Sequence, residues 1–305
     1  MDEQHNNATT HLEAQQAQEP QSTNSPRFYT KRTLVAFVDD QEKRNLLLGR
    51  PPLPGENLTQ IEERIERYNA ARNSRPRYIP ANPIVSEDDP ILDRIRTRPD
   101  IINSFAPTRL PWRAVMIDLK QILSFQPIVR VDDLDERVVA ASKDIDSLYQ
   151  LCFPPNAQME ASFETNEQGH TIITSSPNLT YVPAQLPVQV GTQLVPTPAF
   201  VPQLNFGFLN IAHYQGRYFI RDGYHRAAGL LRNNTEPQVI IPCILVEART
   251  LSQTGWQPGM IAETVLLSDH PPYVSDFWND EVSSELLQRA KRRVFRMHLD
   301  LFEID

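Results

Sequence analysis

Asp222-Gly223-Tyr224-His225-Arg226 places a carboxylate, an imidazole and a guanidinium within five residues. The run before it, Gly216-Arg217-Tyr218-Phe219-Ile220-Arg221, is aromatic and β-branched, as a half-buried strand would be. The run after it, Ala227-Ala228-Gly229-Leu230-Leu231-Arg232-Asn233-Asn234, is short-sided and then leucine-rich, as a helix would be. The pentapeptide is therefore expected at a strand-to-helix corner, with Asp222 as the N-cap and Gly223 allowing a tight turn or a close approach to a ligand. A helix start gathers unpaired N–H groups and the positive end of the helix dipole, which suits an anion and above all a phosphate. Arg226 would add forked donors, and His225 a donor or an acid–base group near neutral pH. Asp222 could cap the helix, or hold the Mg²⁺ that travels with a nucleotide. A D-G turn with a cap and a satisfied structural histidine accounts for the same residue types.

The elements that would position this corner are legible to different degrees. Leu58, Ile61, Ile65 and Tyr68 recur on one helical face, with Glu62, Glu63, Arg64, Glu66 and Arg67 on the other, which predicts a helix from Asn57 or Thr59 to Arg72. A short element is expected around Leu34–Val38. Pro76, Pro80, Pro83, Pro90, Pro99 and Pro111 predict an extended arm or equally a flexible linker over 73–112, with one short helix near Ile91–Arg96. Residues 113–151 predict strand, short helix, strand and then a helix from Leu134 to Tyr149, stopped by Pro154-Pro155. Thr171–Thr174, Leu179–Val182, Leu186–Val190 and Leu204–Tyr214 are β-like, with Gln168-Gly169 as a hairpin turn. A short helix is expected near Gly259–Leu267. Leu286, Leu287, Ala290, Val294, Met297 and Leu301 predict a final helix capped by Ser283 or Ser284. Core packing or a homodimer contact would use its apolar stripe.

With 305 residues, 40% of them hydrophobic, the chain can build one large domain or two small ones. Residues 1–30 are rich in Gln, Asn, Thr and Ser and are expected to be a disordered tail. No apolar run reaches membrane-spanning length and the early residues are polar and acidic, so the expected location is cytoplasmic and no membrane partner is expected. A net charge of −8 disfavours broad attraction to nucleic acid. The basic run Arg289-Ala290-Lys291-Arg292-Arg293-Val294-Phe295-Arg296 is the local exception, either a patch for nucleic acid, a membrane surface or an acidic partner, or the solvated face of a terminal helix. Cys152 and Cys243 have no metal-ligand spacing, so neither zinc nor haem is expected.

Tyr218–Ala228 resembles the "strand, D/G-G-x-H/R-R, helix" signature of the ParB/sulfiredoxin-like superfamily. Val239-Ile240-Ile241-Pro242-Cys243-Ile244-Leu245-Val246 resembles the strand that follows that helix, and Val115–Ile122 its opening strand. Gln126-Pro127 with Arg130, then Leu134-Asp135-Glu136, echoes the family's "QPR" segment and next helix. The resemblance covers about residues 112–248. Tyr224 stands where sulfiredoxins carry their catalytic cysteine, which argues against thiol chemistry. About sixty residues replace the usual short link, and 251–305 lacks a helix-turn-helix pattern, which argues against sequence-specific DNA binding.

The resemblance implies an α+β fold, a mixed sheet with flanking helices, here with a β-rich insertion at about 156–210 inside a 112–250 domain. A helical, proline-rich N-terminal arm over 31–111 and a helical extension over 251–305 would flank it. It further implies ATP or CTP with Mg²⁺, contacted by Asp222, Gly223, Tyr224, His225, Arg226, Gln126 and Arg130, with Asp222 on the metal. Some relatives transfer phosphate to a small hydroxyl-bearing molecule, which needs a carboxylate near the acceptor. Asp132, Asp133, Asp135 and Glu136 supply candidates, with Asp133, Glu136 and His225 as the catalytic set. Three functions follow: a nucleotide-binding enzyme (small-molecule kinase or nucleotide hydrolase), a DNA-partitioning-type or partner-binding nucleotide switch, and a nuclease.

Overall fold

A computed structural model describes residues 28–48, 58–131, 144–154, 161–166, 169–174, 179–204, 207–232, 234–289 and 296–297. In chain order the elements begin with β1 (Phe28–Thr33), α1 (Asp40–Leu48), α2 (Leu58–Asn73), β2 (Ile84–Ser86), α3 (Ile91–Arg96) and α4 (Pro99–Phe105). Next come β3 (Trp112–Asp118), β4 (Ile128–Arg130), α5 (Ile145–Cys152), β5 (Ala161–Asn166), β6 (Gly169–Thr174), β7 (Leu179–Val190) and β8 (Gln193–Leu204). The chain continues through β9 (Asn210–Tyr214), β10 (Arg217–Asp222), α6 (Tyr224–Leu231), β11 (Ile240–Glu247), α7 (Glu263–Leu266), β12 (Ser284–Arg289) and β13 (Arg296–Met297). The fold is mixed α+β.

The main sheet has the order β10-β9-β11-β3-β2. β11 lies between β3, antiparallel, and β9, parallel. Ile241 through Val246 are all buried, because a strand covered on both faces needs a continuous apolar run rather than an alternating one. β9 and β10 form a hairpin across Gln215-Gly216, both at positive φ (49° and 71°), the turn whose twist matches paired strands. The other edge of β10 is covered by Leu123, whose N–H donates to Tyr218 O and whose carbonyl accepts from Ile220 N, both at 2.9 Å.

A second sheet, β12-β1-β4, joins chain segments some 250 residues apart, with Phe28 opposite Arg289. The main apolar cluster runs from Leu34 to Val282, so the N-terminal and C-terminal segments share it.

The predicted helix at 57–72 is present as α2, burying Ile61, Ile65 and Tyr68. The short helix at Ile91–Arg96 is α3. The extended arm over 73–112 is corrected: Pro99 sits at the start of α4, where its missing N–H costs nothing, and β2 pairs with β3. The final helix is also corrected. Ser284–Arg289 is a strand, with Leu286 buried and Leu287 51% exposed, so these two leucines follow a period of two. The rest of the predicted helix, and with it most of the stripe expected to serve a dimer contact, falls on 290–295 and 298–305, outside the described residues. Most of the predicted tail (1–27) and most of the Leu134–Tyr149 helix also fall outside them, whereas Phe28, Tyr29 and Thr30 open β1.

Within 156–210, the two β-like runs at 179–182 and 186–190 are one strand, β7, and Leu204–Tyr214 divides into the end of β8 and all of β9. β7 and β8 pair from Leu179↔Leu204 to Val190↔Gln193 as a sheet of their own. The proline-bearing pairs Tyr181↔Pro202, Pro183↔Phe200, Gln185↔Pro198 and Pro187↔Pro196 alternate with Val182↔Val201, Ala184↔Ala199 and Leu186↔Thr197. Proline has no N–H to give, so its pairs are those that exchange no ladder bonds. Among the described residues no helix is long and apolar enough to cross a membrane.

Candidate functional site: the corner between β10 and α6

β10 loses its register with β9 between Ile220 and Asp222, a bulge that re-aims the last residues of the strand. Gly223 follows at φ 89°, a left-handed conformation. A Cβ there would lie 3.2 Å from Leu209 Cα and Cγ, so both the backbone angle and the space require glycine. Gly223, not Asp222, is the N-cap of α6, and no side chain caps this helix. Asp222 turns its Oδ1 to the Gly223 N–H at 2.6 Å instead.

Three residues meet at this corner. A Cβ on Gly207 would stand 3.1 Å from Arg226 Nη2 and from Asp222 Oδ2, which places both side chains against that glycine. Arg226, expected to neutralise phosphate, is turned inward: Nη1 donates to Leu151 O (3.1 Å) and Cys152 O (3.2 Å), and Nη2 to Gly207 O. Leu151 and Cys152 end α5, where carbonyls lack intrahelical partners and a cation complements the dipole. The guanidinium thus ties the end of α5 to the start of α6.

Crowding by neighbouring atoms pushes the Asp222 carboxyl above the usual aspartate range, and the nearby Arg226 charge pulls it back only in part. Asp222 nevertheless remains an exposed residue. His225 is half-buried in the same first turn.

Tyr224, expected at the ligand, is also turned inward. Its hydroxyl donates to Ile220 O at 2.7 Å and accepts from the N–H groups of Phe125 (3.4 Å) and Gln126 (3.3 Å). Its ring meets Phe125 edge-on at 5.7 Å. Burial raises its pKa far above that of a free phenol. Gln126 reaches the corner through that backbone bond, while the Arg130 guanidinium lies 4.5 Å over the Tyr29 ring. Asp133 and Glu136 lie outside the described residues.

Two contributors were not singled out from sequence. Gly207 accepts Arg226 and stands against Asp222; its only signal is a glycine between two phenylalanines. Arg98 grips Asp100 through two bonds of 2.8 Å and donates to Phe153 O and Pro154 O at 2.7 Å, fixing the chain just after α5. No local pattern announces that contact.

Among the described residues, no three of His, Cys, Asp and Glu gather as a metal-ligating group. A lone accessible carboxylate such as Asp222 still fits a Mg²⁺ whose remaining ligands are phosphates and water. Compared with known protein families, curated proteins and solved structures, the chain gives no match.

Proposed function

We propose that the chain binds a nucleotide by its phosphates at the β10–α6 corner, with Asp222 on the accompanying Mg²⁺. The observation that carries this reading is the start of α6: a left-handed glycine, no side-chain cap and no acidic residue in the first turn. Such a terminus favours an anion through its dipole and its backbone donors. Asp222 is exposed beside it, and its carboxylate would hold the Mg²⁺. Arg226 contributes its charge from behind, through its place against Asp222 and Gly207, and not as a direct phosphate ligand. Mg²⁺, when bound, would neutralise phosphate charge. Binding is the property this geometry supports; turnover would call on carboxylates beyond it.

The test is thermal denaturation with ATP, ADP, CTP and GTP, with and without Mg²⁺, on the wild type and Asp222→Asn. A ligand at about one hundred times its Kd stabilises the folded state by about 2.7 kcal/mol. One nucleotide is expected to raise the melting temperature, and the Mg²⁺-dependent part is expected to vanish in Asp222→Asn. If none of the four moves it, the proposal fails. If only duplex DNA does, with a steep salt dependence, the partitioning-type reading replaces it.

A further inference from the structure

A cavity of about 660 Å³ lies away from this corner, between α1, α2 and the segment 259–265. Its apolar lining is Val38, Met260 and Val265, all half-buried, with Phe37 and Ile261 buried among the lining residues. Its walls carry both signs of charge: Lys43 and Arg72 on one hand, Asp39, Asp40 and Glu42 on the other.

The cations are not fully used. Lys43 is 2% exposed, and its Nζ donates to Asp40 Oδ1 (2.7 Å) and Asn69 Oδ1 (2.6 Å), which accounts for two of an ammonium's three donors. Arg72 makes no ion pair among the described residues, and its hydrogen bond to Ala36 O is long at 3.4 Å. A guanidinium has five donors. Arg72 therefore keeps donors for an acceptor, and the buried Lys43 adds positive charge to the same wall.

The acids are similarly placed. Asp39 Oδ1 accepts the Glu42 N–H at 2.8 Å and so caps α1, leaving Oδ2. Glu42 follows in the first turn of α1, exposed and on the same wall. Three carboxylates against two cations give the wall a net negative charge, so a simple anion such as phosphate would be repelled. An anionic group is tolerated if it arrives with a cationic one.

We infer that this cavity binds a small zwitterion, an apolar α-amino acid, with its carboxylate on Arg72 in the field of the buried Lys43, its ammonium on Asp39 and Glu42, and its side chain against Val38, Met260 and Val265. The inference is independent of the β10–α6 corner.

Calorimetric titration of the full chain with L-leucine and L-methionine tests it, with N-acetyl-L-leucine and L-leucinamide as ligands that each lack one charge. Saturable binding of the free amino acids is expected, weakened about tenfold or more for each blocked derivative, since each loses a charged hydrogen-bonded contact. Arg72→Gln and Asp39→Asn are expected to weaken it by a similar factor. Asn caps a helix as well as Asp does, so Asp39→Asn keeps α1 while removing the charge. Asp222→Asn is expected to leave binding unchanged. The inference is overturned by absence of saturable heat with either amino acid, by equal binding of the blocked derivatives, or by binding that neither cavity substitution alters.

Discussion

Replacing Tyr224 by Phe removes one oxygen and leaves the ring, with its edge-on contact to Phe125, in place. The lost oxygen serves three backbone groups: it donates to Ile220 O at 2.7 Å and accepts from Phe125 N and Gln126 N. The short bond contributes about 1 kcal/mol, and leaving the buried Phe125 N–H without a partner costs about 1–2 kcal/mol more. Gln126 is only half-buried and its N–H can turn to water. The expected loss is therefore about 2–3 kcal/mol. Equilibrium urea unfolding measures it as a fall in midpoint at unchanged slope. Thermal unfolding should fall by about 2–4 °C for each kcal/mol in a chain of this size. Amide exchange at Phe125 should accelerate first, because that donor is the one stranded. A loss below about 0.5 kcal/mol would show that the hydroxyl is not the pin joining strand, helix and the 123–126 segment.

Gly223→Ala should destabilise by about 2 kcal/mol or more, combining a left-handed angle for a residue with a Cβ and a 3.2 Å approach to Leu209; urea unfolding reads it, and a change under 1 kcal/mol would contradict the geometry. Burial pushes the Cys152 thiol up to about 12 and holds Cys243 well above the ordinary value as well. Both should resist iodoacetamide in the native state at pH 8 and react once urea unfolds the chain, as followed by mass spectrometry; rapid native labelling of Cys152 would refute its burial.

The β10–α6 corner is readable in sequence because every signal there is local. The strand run, the glycine that alone tolerates φ 89° and the following helix lie within sixteen residues of one another, and their types agree. The roles of individual side chains at the corner are not readable in the same way. Arg226 and Tyr224 find their partners at 151–152, 207 and 125–126, and nothing in a pentapeptide records which carbonyls will surround it. β12 shows the same limit in secondary structure. Leu286-Leu287 fits a helical stripe until Phe28–Thr33 supplies a strand beside it, a partner about 250 residues away. There Arg32 also reaches Phe277 O, Asp280 and Ser283. In the proline-rich stretch from 73 to 112 the misreading is of position: beside the expected α3, prolines at a helix start and outside a strand leave room for α4 and β2.

The alternation of prolines along β7 and β8 determines what the ribbon offers to other chains. Each proline takes the place of an N–H that would point away from the partner strand, so Pro183 and Pro187 on one border, and Pro196, Pro198 and Pro202 on the other, interrupt both rows of outward donors. An incoming strand would find carbonyls without the matching hydrogens and could not zip along either border. A long, uncharged two-stranded ribbon, which in most sequences would invite stacking into fibrils, is thereby kept from growing by its own backbone.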